Sequence, residues 1–115
     1  MNCIIIDDNR AFLDSVVPFL VSEGARVLGT ASSGSAALEL ARSVRADVAL
    51  VDVYLGDEDG IALTAALRAA LPAMEVVLIS THDRDDLLEL LSSSDAAGFL
   101  RKDSLTLAAI TRLIS

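Results

Sequence analysis

Short apolar runs alternate along the chain with longer stretches whose apolar residues recur at helical spacing. The clearest run covers residues 48–51, and its β-branched residues and short length predict a strand that is buried on both faces. Similar runs predict four more strands, at residues 3–6, 26–30, 76–79 and 97–100. The run at 26–30 is the weakest, and we expect it to lie at an edge of the sheet.

The stretches between the runs predict five helices. In the first, apolar residues over 13–21 follow the i, i+3, i+4, i+7 spacing of one helix face. Capping and stop residues delimit the other four: Ser33 opens the second helix, Gly60 and Pro72 bound the third, and Asp83 and Ser104 cap the fourth and fifth.

Five strands alternating with five helices predict an α/β fold with a parallel sheet that helices cover on both faces. Right-handed crossovers leave few topologies, and we expect the flavodoxin-like doubly wound (βα)5 arrangement with strand order 2-1-3-4-5. A length of 115 residues suits one domain, so we assign residues 1–115 to a single unit. No linker interrupts the pattern, and we expect no separate output domain in this chain.

Composition narrows the classes of function. Lys and Arg total 9 against 17 Asp and Glu, a net charge of -8, which argues against direct binding to nucleic acid because phosphates require a basic face. No apolar run approaches the ~20 residues that span a bilayer, and the start of the chain has no basic signal region. We therefore expect a cytoplasmic protein that does not bind membranes. The single cysteine, Cys3, is expected to pack in the core.

Polar residues stand where the predicted strands end. Asp7 and Asp8 follow the first strand, Asp52 the third, Ser80 the fourth and Lys102 the fifth. The functional crevice of such a sheet lies at the carboxyl ends of the strands, beside the switch in strand order. Each residue alone would be an ordinary turn, cap or surface residue. Their joint placement predicts one shallow pocket in which all five converge.

This set of groups suits phosphoryl transfer. Three neighbouring carboxylates need a cation, and Mg²⁺ prefers carboxylate oxygens together with phosphate oxygens. A carboxylate such as Asp52 can attack phosphorus and form an acyl phosphate. The reaction also needs a cationic side chain on the equatorial oxygens, which Lys102 supplies, and the Ser80 hydroxyl can donate to the same group.

Five short motifs stand at the ends of the predicted strands and in the loop after the third: Ile5-Ile6-Asp7-Asp8, Leu50-Val51-Asp52, Asp59-Gly60, Leu78-Ile79-Ser80 and Gly98-Phe99-Leu100-Arg101-Lys102-Asp103-Ser104. With these motifs the whole chain resembles the response-regulator receiver domain of two-component signal transduction. Its ending resembles the subfamily that often carries a helix-turn-helix DNA-binding output.

The resemblance assigns a role to each residue of the predicted pocket. It implies that Asp52 is the phosphoacceptor, which receives its phosphoryl group from a sensor histidine kinase or a phosphotransfer protein. It implies a Mg²⁺ site made of Asp7, Asp8, Asp52 and the backbone carbonyl of Tyr54, with Lys102 beside it. The domain would then be a switch rather than an enzyme, since it catalyses only its own phosphorylation and dephosphorylation.

The resemblance also implies a switching mechanism. The phosphoryl group recruits the Ser80 hydroxyl, and the Phe99 ring moves into the space that the shifting loop leaves. The face formed by the fourth helix, fifth strand and fifth helix then changes its preference for partners. The resemblance also implies that this face can be the interface of a homodimer. A downstream partner or output domain, controlled through the same face, would regulate transcription.

Several residues depart from the family pattern. Asp103 and Gly56 stand where many receivers have proline, and Thr81 stands where the usual residue is small. Tyr54 and His82 occupy positions that flank the acyl phosphate in the family. Together with Thr81 they are candidates for modulating the lifetime of the phosphorylated form by impeding an attacking water. The alternative, that Tyr54 and His82 are solvent-facing loop residues with no kinetic role, stays open.

Three other functions are compatible with parts of the pattern. A phosphohydrolase of the haloacid-dehalogenase type would need a second acid two residues after the nucleophile, where this chain has Tyr54. A flavin-binding module would need a phosphate-binding loop after the first strand, where Asp7-Asp8-Asn9 would repel a phosphate. A degenerate receiver could dock without phosphate, and only phosphorylation experiments decide against it.

Overall fold

The structure is a computed structural model, and it describes residues 1–81, 92 and 94–115. A five-stranded parallel sheet forms the centre of the molecule. The strands are β1 (Asn2–Ile6), β2 (Arg26–Ala31), β3 (Val48–Asp52), β4 (Glu75–Ser80) and β5 (Gly98–Arg101). Their order in the sheet is β2-β1-β3-β4-β5, with all neighbours parallel, which confirms the predicted flavodoxin-like order.

Four α-helices cover the sheet in the described part of the chain. They are α1 (Arg10–Ser22), α2 (Gly34–Ser43), α3 (Gly60–Ala70) and the C-terminal helix (Leu107–Ile114). The fourth helix of the sequence-based prediction, with its cap at residue 83, lies outside the described residues.

The start of the C-terminal helix corrects one prediction. Ser104 was expected to cap this helix, but Lys102–Ser104 form a 3₁₀ turn and the helix begins later. Thr106 is the N-cap, because its side-chain oxygen accepts a hydrogen bond of 3.1 Å from the backbone N–H of Ala109. Serine is on average the better N-cap, so local preference alone points to the wrong residue here.

The core lies in two layers, one on each face of the sheet. Alternate residues of a strand point to opposite faces, so Ile4 and Ile6 pack toward α2 and α3, whereas Cys3 and Ile5 pack toward α1 and the C-terminal helix. Every residue of β3 is buried, as expected for a central strand covered on both sides. Among the described residues, no helix combines the length and apolar character needed to cross a membrane.

A short hairpin follows β3 and leads into α3. Tyr54–Leu55 and Glu58–Asp59 pair in antiparallel fashion, and Gly56 turns the chain with a φ of 59° that favours glycine. Asp59 caps α3, since its side chain accepts a hydrogen bond of 2.9 Å from the N–H of Ile61. The loop after the central strand is therefore an ordered structure.

Glu58 ties this hairpin to the neighbouring helix. Its two carboxylate oxygens accept hydrogen bonds of 2.9 and 3.2 Å from the N–H of Gly34, the first residue of α2. A Cβ atom at Gly34 would lie 2.6 Å from the nearer oxygen, so glycine leaves room for this contact. The negative carboxylate also matches the positive end of the helix dipole.

Gly60 is a glycine whose surroundings leave no room for a side chain. A Cβ atom here would overlap the carbonyl of Asp52 and lie 2.9 Å from the Cα of Val53, both of them backbone atoms that cannot rotate away. We expect Gly60→Ala to reduce the free energy of unfolding by about 2 kcal/mol or more, measured by urea denaturation.

Gly29→Ala is the matched control for this effect. Its Cβ would meet the flexible end of Leu40, 2.8 Å from Cδ1, which can adopt another rotamer. We therefore expect a clearly smaller loss, and equal losses in the two variants would contradict the steric explanation.

Candidate functional site

The carboxyl ends of three strands bring two acids and a lysine into direct contact. Asp7 follows β1, Asp52 ends β3 and Lys102 follows β5. The Lys102 Nζ atom lies 2.6 Å from Asp7 Oδ2 and 3.3 Å from Asp52 Oδ2, and it donates a hydrogen bond to the latter. These residues are far apart in sequence, and the parallel sheet alone places them at one edge.

The acids of this cluster differ in their exposure. Asp7 is fully buried and Asp52 is nearly so, whereas Asp8 is exposed at the rim. Each offers a carboxylate oxygen, and these three oxygens lie within 4.8 Å of one another. Lys102, whose side chain is 10% exposed, supplies one positive charge against three negative ones. Buried charges are costly unless paired, and within the described part of the chain the negative charge of the cluster exceeds the positive charge beside it, which favours binding of a cation.

The surroundings of Asp52 disfavour its ionised form. Burial raises the pKa of the Asp52 carboxyl above its ordinary value, and the negative charge of Asp7 raises it further. Lys102 and the backbone N–H of Tyr54, which donates to Asp52 Oδ1 at 3.1 Å, act in the opposite direction. The net effect is an aspartate whose negative charge is only partly compensated by the protein.

Asp7 is held in place by one oxygen and leaves the other for a further ligand. The backbone N–H of Asn9 donates to Asp7 Oδ1 at 2.8 Å, and the Asp7 N–H donates to the carbonyl of Ala31. Asp7 Oδ2 pairs electrostatically with Lys102 but finds no partner of hydrogen-bond geometry among the described residues. A buried oxygen in this situation, beside two more carboxylates, fits a hard divalent cation.

The remaining residues predicted for the site lie around this cluster. Ser80 is buried at the end of β4, opposite Arg101 of β5 in the strand register. Phe99 is half-buried on β5 and packs against the core layer on the α2–α3 side. Tyr54 and Thr81 are exposed. His82 lies outside the described residues, and the functional roles of all these side chains stay predictions.

Two residues of the site were not predicted from the sequence. Asn9 caps α1, where its side chain accepts a hydrogen bond of 3.1 Å from the N–H of Phe12. The Lys102 ammonium lies over the Phe12 ring, 4.5 Å from its centroid. Asn9 could have been found as a capping residue ahead of an apolar helix, but Phe12 has the appearance of an ordinary core residue of that helix.

Comparison with known proteins identifies the family. The family model described as response regulator receiver domain matches residues 3–114, nearly the whole chain. This chain belongs to the response regulator receiver domain family. Receiver domains are signalling domains of two-component systems rather than classical enzymes, which agrees with the resemblance seen in the sequence.

Individual relatives of this receiver domain support the assignment. The probable transcriptional regulatory protein NarL of Mycobacterium tuberculosis is 39% identical over 102 residues, which are 88% of this chain and 47% of NarL. Response regulator GacA of Pseudomonas aeruginosa is 30% identical over 100 residues, 86% of this chain and 47% of GacA. The receiver domain therefore spans about half the length of these curated relatives.

A solved structure has the same fold. The signal receiver domain of the putative response regulator NarL from Mycobacterium tuberculosis superposes with a TM-score of 0.79 at 36% identity. The alignment covers 98% of this receiver domain and 89% of that chain.

The raised pKa of Asp52 predicts how stability depends on pH. An acid whose pKa is higher in the folded chain binds more protons when folded, so stability falls as pH rises from the ordinary value of 3.8 through the raised value. We expect Asp52→Asn, which cannot ionise, to be more stable than wild type at neutral pH in the presence of EDTA. The difference should shrink as pH falls through the raised pKa, and urea unfolding at a series of pH values measures it.

The control for this prediction is Asp57→Asn, which removes an exposed acid from the hairpin that follows Asp52. This variant should show no such pH-dependent gain in stability. If Asp52→Asn were less stable than wild type at neutral pH, the electrostatic description of the cluster would be incorrect.

Proposed function

We propose that this receiver domain is a phosphorylation-dependent switch in which Asp52 accepts a phosphoryl group. The donor is the phosphohistidine of a sensor histidine kinase or a phosphotransfer protein. The observation that carries the proposal is the contact of the buried Asp52 carboxylate with the Lys102 ammonium, 3.3 Å away, beside two further acids. This is the set of groups that phosphoryl transfer to a carboxylate requires.

Asp7, Asp8, Asp52 and the backbone carbonyl of Tyr54 would hold Mg²⁺ in this proposal. The ion would neutralise the acids and bind the phosphoryl oxygens. The Oδ2 atom of buried Asp7, which has no hydrogen-bond partner among the described residues, and the close approach of the three carboxylates support this choice. The exposed position of Asp8 leaves the cluster open on the side from which a donor would approach.

The chemical step uses the side chains of the cluster. A carboxylate oxygen of Asp52 attacks the phosphorus atom, the phosphorus–nitrogen bond of the donor breaks, and an aspartyl phosphate forms while the histidine keeps the electron pair. Lys102 then has phosphoryl oxygens to pair with in place of the free carboxylate. The N–H of Tyr54 holds the Asp52 carboxylate in a fixed orientation through Oδ1.

Ser80 and Phe99 would transmit the change. The buried position of Ser80 at the end of β4 and the half-buried position of Phe99 on the adjacent strand β5 support this pair, since a movement of one changes the space near the other. The surface that responds would comprise β5, the C-terminal helix and the fourth predicted helix. It would serve a downstream partner, an output domain or a second copy of the chain.

The downstream process that we propose is control of transcription. The relatives NarL and GacA are a probable transcriptional regulatory protein and a response regulator, each about twice as long as the matched region. Residues 1–115 would act as the receiver, and the net charge of -8 argues that it does not itself contact DNA. Regulation would pass through an attached or a docked output.

Phosphorylation of the isolated domain tests the proposal. Incubation with acetyl phosphate and Mg²⁺ should add one phosphoryl group to the wild type, detected by intact mass, and EDTA should prevent it. Asp52→Asn should gain nothing, whereas Asp57→Asn, which alters an exposed acid of the same loop, should react like wild type. Equal phosphorylation of Asp52→Asn and wild type would show that the acceptor is another residue.

The lifetime of the aspartyl phosphate is expected to depend on the residues around it. If Tyr54 and His82 impede the attacking water, Tyr54→Ala and His82→Ala should lose the phosphoryl group faster than wild type. Tyr54 is 49% exposed two residues after Asp52, which suits a side chain that covers the site from outside. The decay of the phosphorylated mass after removal of the donor measures this. Equal or longer lifetimes in the variants would favour the alternative without a kinetic role.

A further inference from the structure

The Lys102 ammonium has an aromatic neighbour in addition to its two carboxylates. Its Nζ atom lies 4.5 Å from the centroid of the Phe12 ring, well within the range of a cation–π interaction. The ring and the acids approach the same ammonium, whose side chain is only 10% exposed. The cation–π interaction is therefore partly shielded from water, and such shielding makes it stronger.

Phe12 is attached firmly to the acidic cluster. Its backbone N–H donates to the side chain of Asn9, and the N–H of Asn9 donates in turn to Asp7 Oδ1. The helix that carries Phe12 is anchored by Leu13 and Val16, which are buried in the core layer on this side of the sheet. The backbone of Phe12 thus has a defined position relative to Asp7, and from this position its ring lies beside the lysine.

The attraction of the ring differs in kind from that of the acids. The pairing of Lys102 with Asp7 and Asp52 weakens when a divalent cation neutralises these carboxylates, and that with Asp52 also weakens when Asp52 is esterified. The face of a phenyl ring has no charge to neutralise and no proton to gain, so its attraction for the ammonium persists throughout the reaction.

We propose that Phe12 is a positioning residue that holds the Lys102 ammonium beside Asp52 during phosphoryl transfer. This inference rests on the proposed function of Asp52. A simpler explanation is that Phe12 only fills space, since it packs half-buried against the core layer next to α1. The two explanations differ in whether the electron density of the ring matters.

Fluorinated phenylalanines at position 12 distinguish between the positioning role of Phe12 and a role that only fills space. One, two and three fluorine atoms change the ring's size little but progressively reduce the negative potential of its face. We expect the rate of phosphorylation by acetyl phosphate and Mg²⁺ to fall stepwise, by roughly three- to tenfold over the series. Phe12→Tyr should react like wild type, and Phe12→Leu should be at least as slow as the trifluorinated protein.

Phe19 provides the matched control. It lies two turns further along α1 and is 45% exposed. Phe19 lines the same surface groove as Phe12 and Lys102. The same fluorinated residues at position 19 should leave the rate unchanged. A rate that is constant across the series at position 12, or that falls equally at position 19, would overturn the positioning role of Phe12.

A spectroscopic measurement tests the contact without phosphorylation. In the absence of metal and donor, the ring should shift the NMR signals of the Lys102 methylene protons next to Nζ upfield, and Phe12→Leu should remove this shift. An unshifted wild-type signal would overturn the inference. If wild type itself took no phosphoryl group, the proposed function would fail and the inference with it, whereas a reactive wild type with a flat fluorine series would refute only the role of Phe12.

Discussion

An excess of negative charge at one edge of the sheet is the constraint that the rest of the domain has to meet. Three carboxylate oxygens lie within 4.8 Å of one another, two of the acids are buried, and one ammonium partly compensates them. Such an arrangement opposes folding unless the rest of the domain outweighs it. It also creates a strong preference for whatever brings positive charge. A divalent cation would do this, and it would also neutralise the additional negative charge that a phosphoryl group brings to Asp52. The same imbalance that opposes folding therefore favours the binding of the ion that the proposed chemistry requires.

The remainder of the domain keeps the acids close together. Asp52 lies on the central strand β3, which is buried along its whole length. Core layers on both faces of the sheet hold β3 in register with β1. The close approach of Gly60 to the Asp52 backbone and the bond from Glu58 to α2 fix the following hairpin. The acidic cluster is therefore built on elements that cannot move apart without exposing apolar surface.

Much of this arrangement was predictable from the sequence, for a physical reason. Parallel strands must all end at the same edge, so the residues after each apolar run identify the site before any distance is known. The contacts that were missed depend on information that the pattern lacks. Phe12 has the spacing of a core residue, and nothing near it in sequence reveals the lysine above its ring. Local capping preference favours Ser104 over Thr106, and the 3₁₀ turn between β5 and the C-terminal helix overrides it.

The bond between Glu58 and Gly34 has a consequence for engineering chimaeric proteins. The hairpin after Asp52 is not a portable segment, because one of its side chains accepts hydrogen bonds from the first residue of a helix that lies elsewhere in the chain. Transplanted alone, the hairpin would carry a carboxylate whose partner is missing, and a recipient with a bulkier residue at the start of α2 would push that carboxylate aside. The two positions form one exchangeable unit, and they should be moved together.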